Sequence, residues 1–150
     1  MELIKTKKQQ IDELVKISKE AFDSDILVGA AEAGGPPEYD SVPWHMEMMK
    51  EGHLFTAVEG NEIVGGALLF KDEHNSSLLY VGRIFMKPSL YRKGYGMKLM
   101  ELIESDSPDN TIFKLDTPIW NVRTNRFYKK VGYVEESRDQ EFIYYQKERK

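Results

Sequence analysis

The sequence predicts a mixed α/β (α+β) sheet, mostly antiparallel with one parallel central pair, flanked by helices on both faces. Two patterns lead there. Residues 53–59 and 62–70 meet across Gly60-Asn61, a tight hairpin signal, and the longer apolar run 77–86 follows after a short polar turn. Turns that short join only antiparallel neighbours, so the three segments form a meander. Past Pro88 the pattern changes to strand, loop, helix and strand over 78–116, and a crossover of that length sets its two strands side by side and parallel.

Each element has a local reason. Over 8–21, Ile11, Leu14, Val15, Ser18 and Ala21, with Phe22 beyond, recur at helical spacing, and most are apolar. Residues 28–41 are rich in Gly, Ala and Pro and have no period; a loop this long inside a compact domain is usually functional or disordered. A short helix follows over 42–50, with Pro43 in its first turn. Over 94–105, Met97, Leu99, Met100, Leu102 and Ile103 predict the buried stripe of a third helix. Residues 111–117 read as a strand, 121–132 as a helix stopped by Gly132, and 141–147 as the last strand. The closing Lys147-Glu148-Arg149-Lys150 is expected to be a solvated charged tail. With 150 residues, 41% hydrophobic, and no repeat or linker, residues 1–150 are expected to form a single domain with a real core.

Composition excludes several classes. A formal net charge of -4 argues against general nucleic-acid binding, although a local basic pocket for an anion remains open. The chain has no cysteine, so disulfides, thiolate metal sites and a cysteine nucleophile are closed to it. His45, His53 and His74 lack metal-ligand spacing, and no metal is expected. No apolar run approaches the roughly 20 residues of a membrane span, and the first residues lack the apolar core of a signal peptide. A cytoplasmic protein without membrane attachment is the expectation.

The stretch Tyr91-Arg92-Lys93-Gly94-Tyr95-Gly96 leads straight into the third helix. Glycines there let a ligand approach the backbone, the helix start offers unpaired N–H groups, and Arg92 and Lys93 add charge, which together suit a pyrophosphate. Two familiar phosphate patterns fail: no Gly-Lys-Ser/Thr follows Gly94, and the third glycine of a dinucleotide loop is replaced by Leu99. By itself the loop could equally be a tight turn.

Its surroundings carry more. The stretch IFMKPSLYRKGYGMKLM (84–100) resembles the strand–Pro–loop–helix signature of the GNAT superfamily of acyl-CoA-dependent N-acyltransferases, written [QR]-x-x-G-x-[GA]. Gly94, Gly96 and Pro88 match; Tyr91 stands at the Gln/Arg position, and Arg92 where glycine is frequent. Downstream, NVRTNRFYKKVGY (121–133) is similar to the family's N-x-x-A-x-x-[LF]-Y-x-K-x-G-[FY] segment, with Thr124 in place of the small alanine. The predicted element order resembles the GNAT fold over nearly the whole chain.

The resemblance implies an N-acetyltransferase that uses acetyl-CoA as co-substrate. The pyrophosphate is expected against the amides of Tyr91, Arg92, Lys93, Gly94, Tyr95 and Gly96, and the pantetheine arm along the backbone of Ile84, Phe85 and Met86, on a strand that bulges and splays from its neighbour. A backbone N–H near Phe85 is expected to face the oxyanion. Tyr128 is implied as general acid toward the thiolate, with a packed core tyrosine as the alternative. Asn121 bonds pantetheine, caps its helix, or both. For the general base the candidates are Asp116, Glu59, Glu32, Glu38 and His45, or a water relay. The acceptor is expected at the long loop and the helix after it, where Glu32, Glu38, Tyr39, Asp40, Trp44 and His45 combine acids with aromatics and suit a small-molecule amine. A protein acetyltransferase acting on Lys or an N-terminal amine, and a non-catalytic acyl-CoA sensor, are the alternatives. Edge strands such as 141–147 could pair between chains, and small enzymes of this kind often form homodimers.

Overall fold

A seven-stranded sheet crosses the protein in the order β1 (Glu2–Lys5), β2 (Leu54–Glu59), β3 (Glu62–Lys71), β4 (Leu78–Met86), β5 (Ile112–Pro118), β7 (Phe142–Glu148) and β6 (Val134–Arg138). The structure is a computed structural model and describes residues 1–149. All pairings are antiparallel except β4 with β5, the expected parallel pair at the centre.

Four α-helices cover the two faces: α1 (Ile11–Asp23), α2 (Val42–Lys50), α3 (Tyr95–Ser105) and α4 (Val122–Lys130). On one face Ile11, Leu14 and Ile17 of α1 pack on Leu54, Leu68 and Phe85. On the other, Leu99, Met100 and Ile103 of α3 and Tyr128 of α4 pack on Val81, Phe113 and Tyr145. Alternation along the strands assigns successive side chains to opposite faces.

The structure corrects the sequence reading in five places. Residues 141–147 are not an edge strand: β7 lies inside the sheet, paired with β5 on one side and β6 on the other, so both of its backbone edges are already used. β1 and β6 were not expected as strands; β1 has only four residues, too few to show a period, and every residue of β6 is exposed, so it carries no apolar signal. Met97 lies outside the stripe of α3 with 37% of its surface exposed, and Leu102 is half-buried, while Leu99, Met100 and Ile103 form the buried stripe. The closing charged residues are not a free tail. Lys147 and Glu148 end β7, and Arg149 donates to the carbonyls of Glu104, Ser107 and Asn110, which gives the C-terminus of α3 a cation and satisfies carbonyls that the helix leaves open. Lys150 lies outside the described residues.

His45 on α2 has no exposed surface; its Nδ1 stands 2.6 Å from the Ser41 carbonyl, and its Nε2 is buried without a partner. Burial holds its pKa below the ordinary imidazole value. An imidazole that binds its proton more weakly when folded leaves the unfolded chain holding more protons below about pH 6.5, so stability falls as pH drops through that value. Urea midpoints at about pH 7 and about pH 5.5 should therefore differ, and the difference should shrink in His45→Gln. An equal difference in both chains would place the pH sensitivity elsewhere.

Candidate active site

β4 and β5 hold together only where they start. Leu78, Leu79 and Tyr80 pair with Ile112, Phe113 and Lys114, and the two strands then part, leaving residues 81–86 of β4 without a partner on that side. At about 3.3 Å per residue this opens a wedge with an edge of about 20 Å. Across its vertex the Tyr80 hydroxyl donates to the Asp116 carboxylate. The register of β4 on β3 slips by one residue between Leu68 and Leu69, whose partners are Arg83 and Val81, so Gly82 is the extra residue of a bulge. A side chain at 82 would stand 2.6 Å from the Phe70 ring.

The Lys87 amide donates to the Val64 carbonyl at 2.9 Å, so alternation turns the Phe85 amide toward β3 and those of Ile84 and Met86 into the wedge. The wedge opens onto a basic loop. A 3-10 turn (Pro88–Leu90) precedes Tyr91, Arg92 takes the left-handed conformation with φ 66, and Gly94 does so with φ 85 before α3 begins. No acceptor satisfies the amides of residues 92–97 among the described residues; the first bond is that of the Lys98 amide to the Gly94 carbonyl at 3.2 Å. Arg92, Lys93 and Gly94 are exposed, and Tyr95 and Gly96 are half-buried beside them.

Tyr128 lies on the α3/α4 side of the wedge, 7% exposed, with its ring 6.0 Å from Tyr133 and 6.1 Å from Tyr145. Burial pushes its phenol well above the ordinary range, and the Asp116 and Asp25 carboxylates add to this, so the hydroxyl stays protonated. Asn121 is buried and caps α4, its Oδ1 accepting from the Thr124 amide at 3.1 Å. Among the base candidates, only Asp116 stands on a strand that lines the wedge. Glu59 ends β2, two strands away, close enough to Tyr95 to raise its phenol pKa. Glu32 and Glu38 are exposed on the long loop, and His45 is enclosed.

That loop crosses the wedge on the α1/α2 side. Near its start Asp25 holds Arg123 of α4 at 2.8 Å, and Gly29 lies so close to the Trp120 carbonyl that a Cβ there would stand 2.8 Å from it. Further on, the Pro37 carbonyl accepts from Arg83 of β4. The Tyr39 hydroxyl donates to Asp23 at 2.7 Å, its carbonyl accepts from Ser18 at 2.8 Å, and Ser41 caps α2 by accepting from the Trp44 amide. Trp44 carries the Arg83 guanidinium 4.4 Å above its ring. Among the described residues no group of three or more His, Asp or Glu side chains could hold a metal ion, and no helix is long and apolar enough to cross a membrane.

Residues 12–133 match the profile of the acetyltransferase (GNAT) family. The chain belongs to that family. No curated protein sequence matches it. Solved structures share the fold at low identity. The PaiA N-acetyltransferase of Thermoplasma acidophilum, solved in complex with coenzyme A, is 16% identical and superposes with a TM-score of 0.82 over 98% of each chain. A GNAT acetyltransferase of Streptococcus agalactiae is 16% identical with a TM-score of 0.86, over 99% of this chain and 95% of that one. An acetyltransferase of Thermus thermophilus is 12% identical with a TM-score of 0.80, over 99% and 97%.

Two of the departures from the GNAT motifs, Tyr91 and Thr124, have local reasons. The Tyr91 ring lies 4.5 Å beneath the Arg123 guanidinium, which ties the basic loop to α4. Thr124 bonds the Thr117 hydroxyl at 2.6 Å and ties α4 to β5. Sequence reading missed Arg83, Asp25, Arg123 and Tyr80. Arg83 had a signal, since it is the sole charge in the strand LLYVGRIFM; Asp25 and Arg123 meet only through the fold. Burial raises the Asp25 pKa, while Arg123 and Asn121 pull it down.

Arg92 has no such reason: a side chain at φ 66 costs about 1 kcal/mol or more, partly offset because glycine loses more freedom on folding. Arg92→Gly should raise stability by a few tenths to about 1 kcal/mol in urea unfolding. A lower midpoint would mean that the side chain makes a stabilising contact.

Proposed function

We infer that this GNAT protein is an N-acetyltransferase that moves an acetyl group from acetyl-CoA to the primary amine of a small molecule, by direct attack in a ternary complex. The observation that carries the reading is the row of free amides at 92–97 where the wedge meets the start of α3. Such a row binds a diphosphate because its charge is spread over several oxygens. The residues present suit coenzyme A: Arg92 and Lys93 add charge at the mouth, and Ile84 and Met86 offer backbone groups to an amide-bearing arm laid along β4 as an added strand.

Roles follow from position. The amides at 84 and 86 face the wedge, where a thioester oxygen gaining charge would sit. Asp116 accepts the proton that the amine loses as its nitrogen bonds the acyl carbon. Tyr128 gives its proton to the departing sulfur as the C–S bond breaks; a phenol held above its ordinary pKa is a donor at neutral pH. Asn121 sets the pitch of α4 and so the place of Tyr128. With no cysteine to carry the acyl group, alignment of both substrates supplies much of the rate. The loop over the wedge favours a small amine over a peptide.

Acetyl-CoA at about a hundred times its Kd should raise Tm by about 5 to 10 °C, with ATP and NAD giving no comparable shift. Absence of a shift at millimolar acetyl-CoA would end the reading. Tyr128→Phe should keep the shift and lose about 100-fold or more in kcat for thiol release. Unchanged turnover would remove Tyr128 as the acid.

A further inference from the structure

Arg83 follows the Gly82 bulge, which sets it on the α1/α2 face of β4, the face that also carries Phe85 and, across the wedge, Asp116. A guanidinium has five N–H donors in one rigid plane. Here Nη2 donates to the Pro37 carbonyl, the flat face rests on Trp44 at 4.4 Å, and Nη1 is buried with no partner. Arg123 and Arg138 each hold a carboxylate, Asp25 and Glu135; Arg83 holds none among the described residues. Glu38 acts on it only from a distance, and His45, kept neutral by burial and by Arg83 itself, offers no negative charge.

A half-buried cation with neutral neighbours and an orphaned donor is costly, and anchoring a loop carbonyl needs no charge. An anion brought by a ligand would complete the guanidinium fork as a carboxylate does, through paired N–H···O bonds. Coenzyme A phosphates have their own row of amides at α3. The acceptor is the remaining ligand on this face. Tyr80, which holds Asp116, lies three residues before Arg83 on β4, within roughly 10 Å along the strand, so one small molecule can reach both groups. Trp44 and the Tyr39 hydroxyl, expected to receive a bare cation, are already engaged by Arg83 and Asp23.

We propose that the acceptor is an amine that also bears a carboxylate, an amino acid or a close analogue, with Arg83 taking the carboxylate while the amine faces Asp116. This rests on the acetyltransferase reading. The test measures thiol release at saturating acetyl-CoA with the twenty common amino acids, each against its carboxamide, which keeps the amine and removes the negative charge.

At least one acid should exceed its amide in kcat/KM by about 10- to 100-fold. Arg83→Gln should abolish that preference through the acceptor KM, leave the acetyl-CoA KM unchanged, and keep the acetyl-CoA thermal shift. Arg83→Lys, which keeps the charge but not the fork and is the milder change should Arg83→Gln fail to fold, should retain only part of the preference. Three results would overturn the proposal while the acetyltransferase reading stands: amides turned over as well as acids, a preference untouched in both variants, or an acetyl-CoA shift with no acid turned over. Loss of the acetyl-CoA shift in the native chain would overturn both.

Discussion

The parting of β4 from β5 is the constraint on which the rest depends. Parallel strands in a sheet normally stay paired on both sides, because an unpaired row of buried N–H and C=O groups is expensive. Here the pair lasts three residues and then opens. Two features keep it open. The bulge at Gly82 turns β4 away and resets its faces, and Tyr80 bonded to Asp116 pins the vertex. Each strand keeps its outer ladder, β4 with β3 and β5 with β7, so the open edges are residues 81–86 of β4 and 115–118 of β5.

What fills the wedge must then satisfy backbone groups, and the two faces offer different chemistry at its rim. The α3/α4 side has the amides at 92–97 and a protonated phenol. The α1/α2 side has a carboxylate, a guanidinium and a loop that spans from Trp120 to Arg83. On the proposed function, the sheet would separate a diphosphate site from an acceptor site and let them meet only through the gap. A chain of net charge -4 can hold a polyanion this way, because the attraction is local and built largely from fixed dipoles rather than from the global charge.

Much of this was legible in the sequence, and the reasons for what was not are physical. The Gly60-Asn61 hairpin and the crossover after Pro88 are local signals, and both hold. The short strands β1 and β6 form the two edges of the sheet; β1 is too short to show a period, and in β6 charge that guards against edge pairing erases the apolar pattern. Arg149 was read as solvated because its acceptors lie some 40 residues earlier, at the end of α3. The GNAT motifs located the free amides, since glycines at a helix start are a local matter. They were silent on Arg83, whose surroundings come from a loop 46 residues before it.

The loop itself resolves an apparent conflict between its composition and its position. Its acids suggested a site for a bare cation, yet Glu32, Glu38 and Asp40 are exposed, Tyr39 is held by Asp23, and Trp44 on the following helix is covered by Arg83. Exposed carboxylates act through water and are screened within about 8 to 10 Å at ordinary salt, so they can favour the approach of an amine without fixing its pose. A desolvated guanidinium acts at contact and fixes direction. Surface acids that draw in an ammonium group and a half-buried arginine that orients a carboxylate are therefore complementary, and a molecule carrying both charges would be aligned along the wedge with its nitrogen toward Asp116.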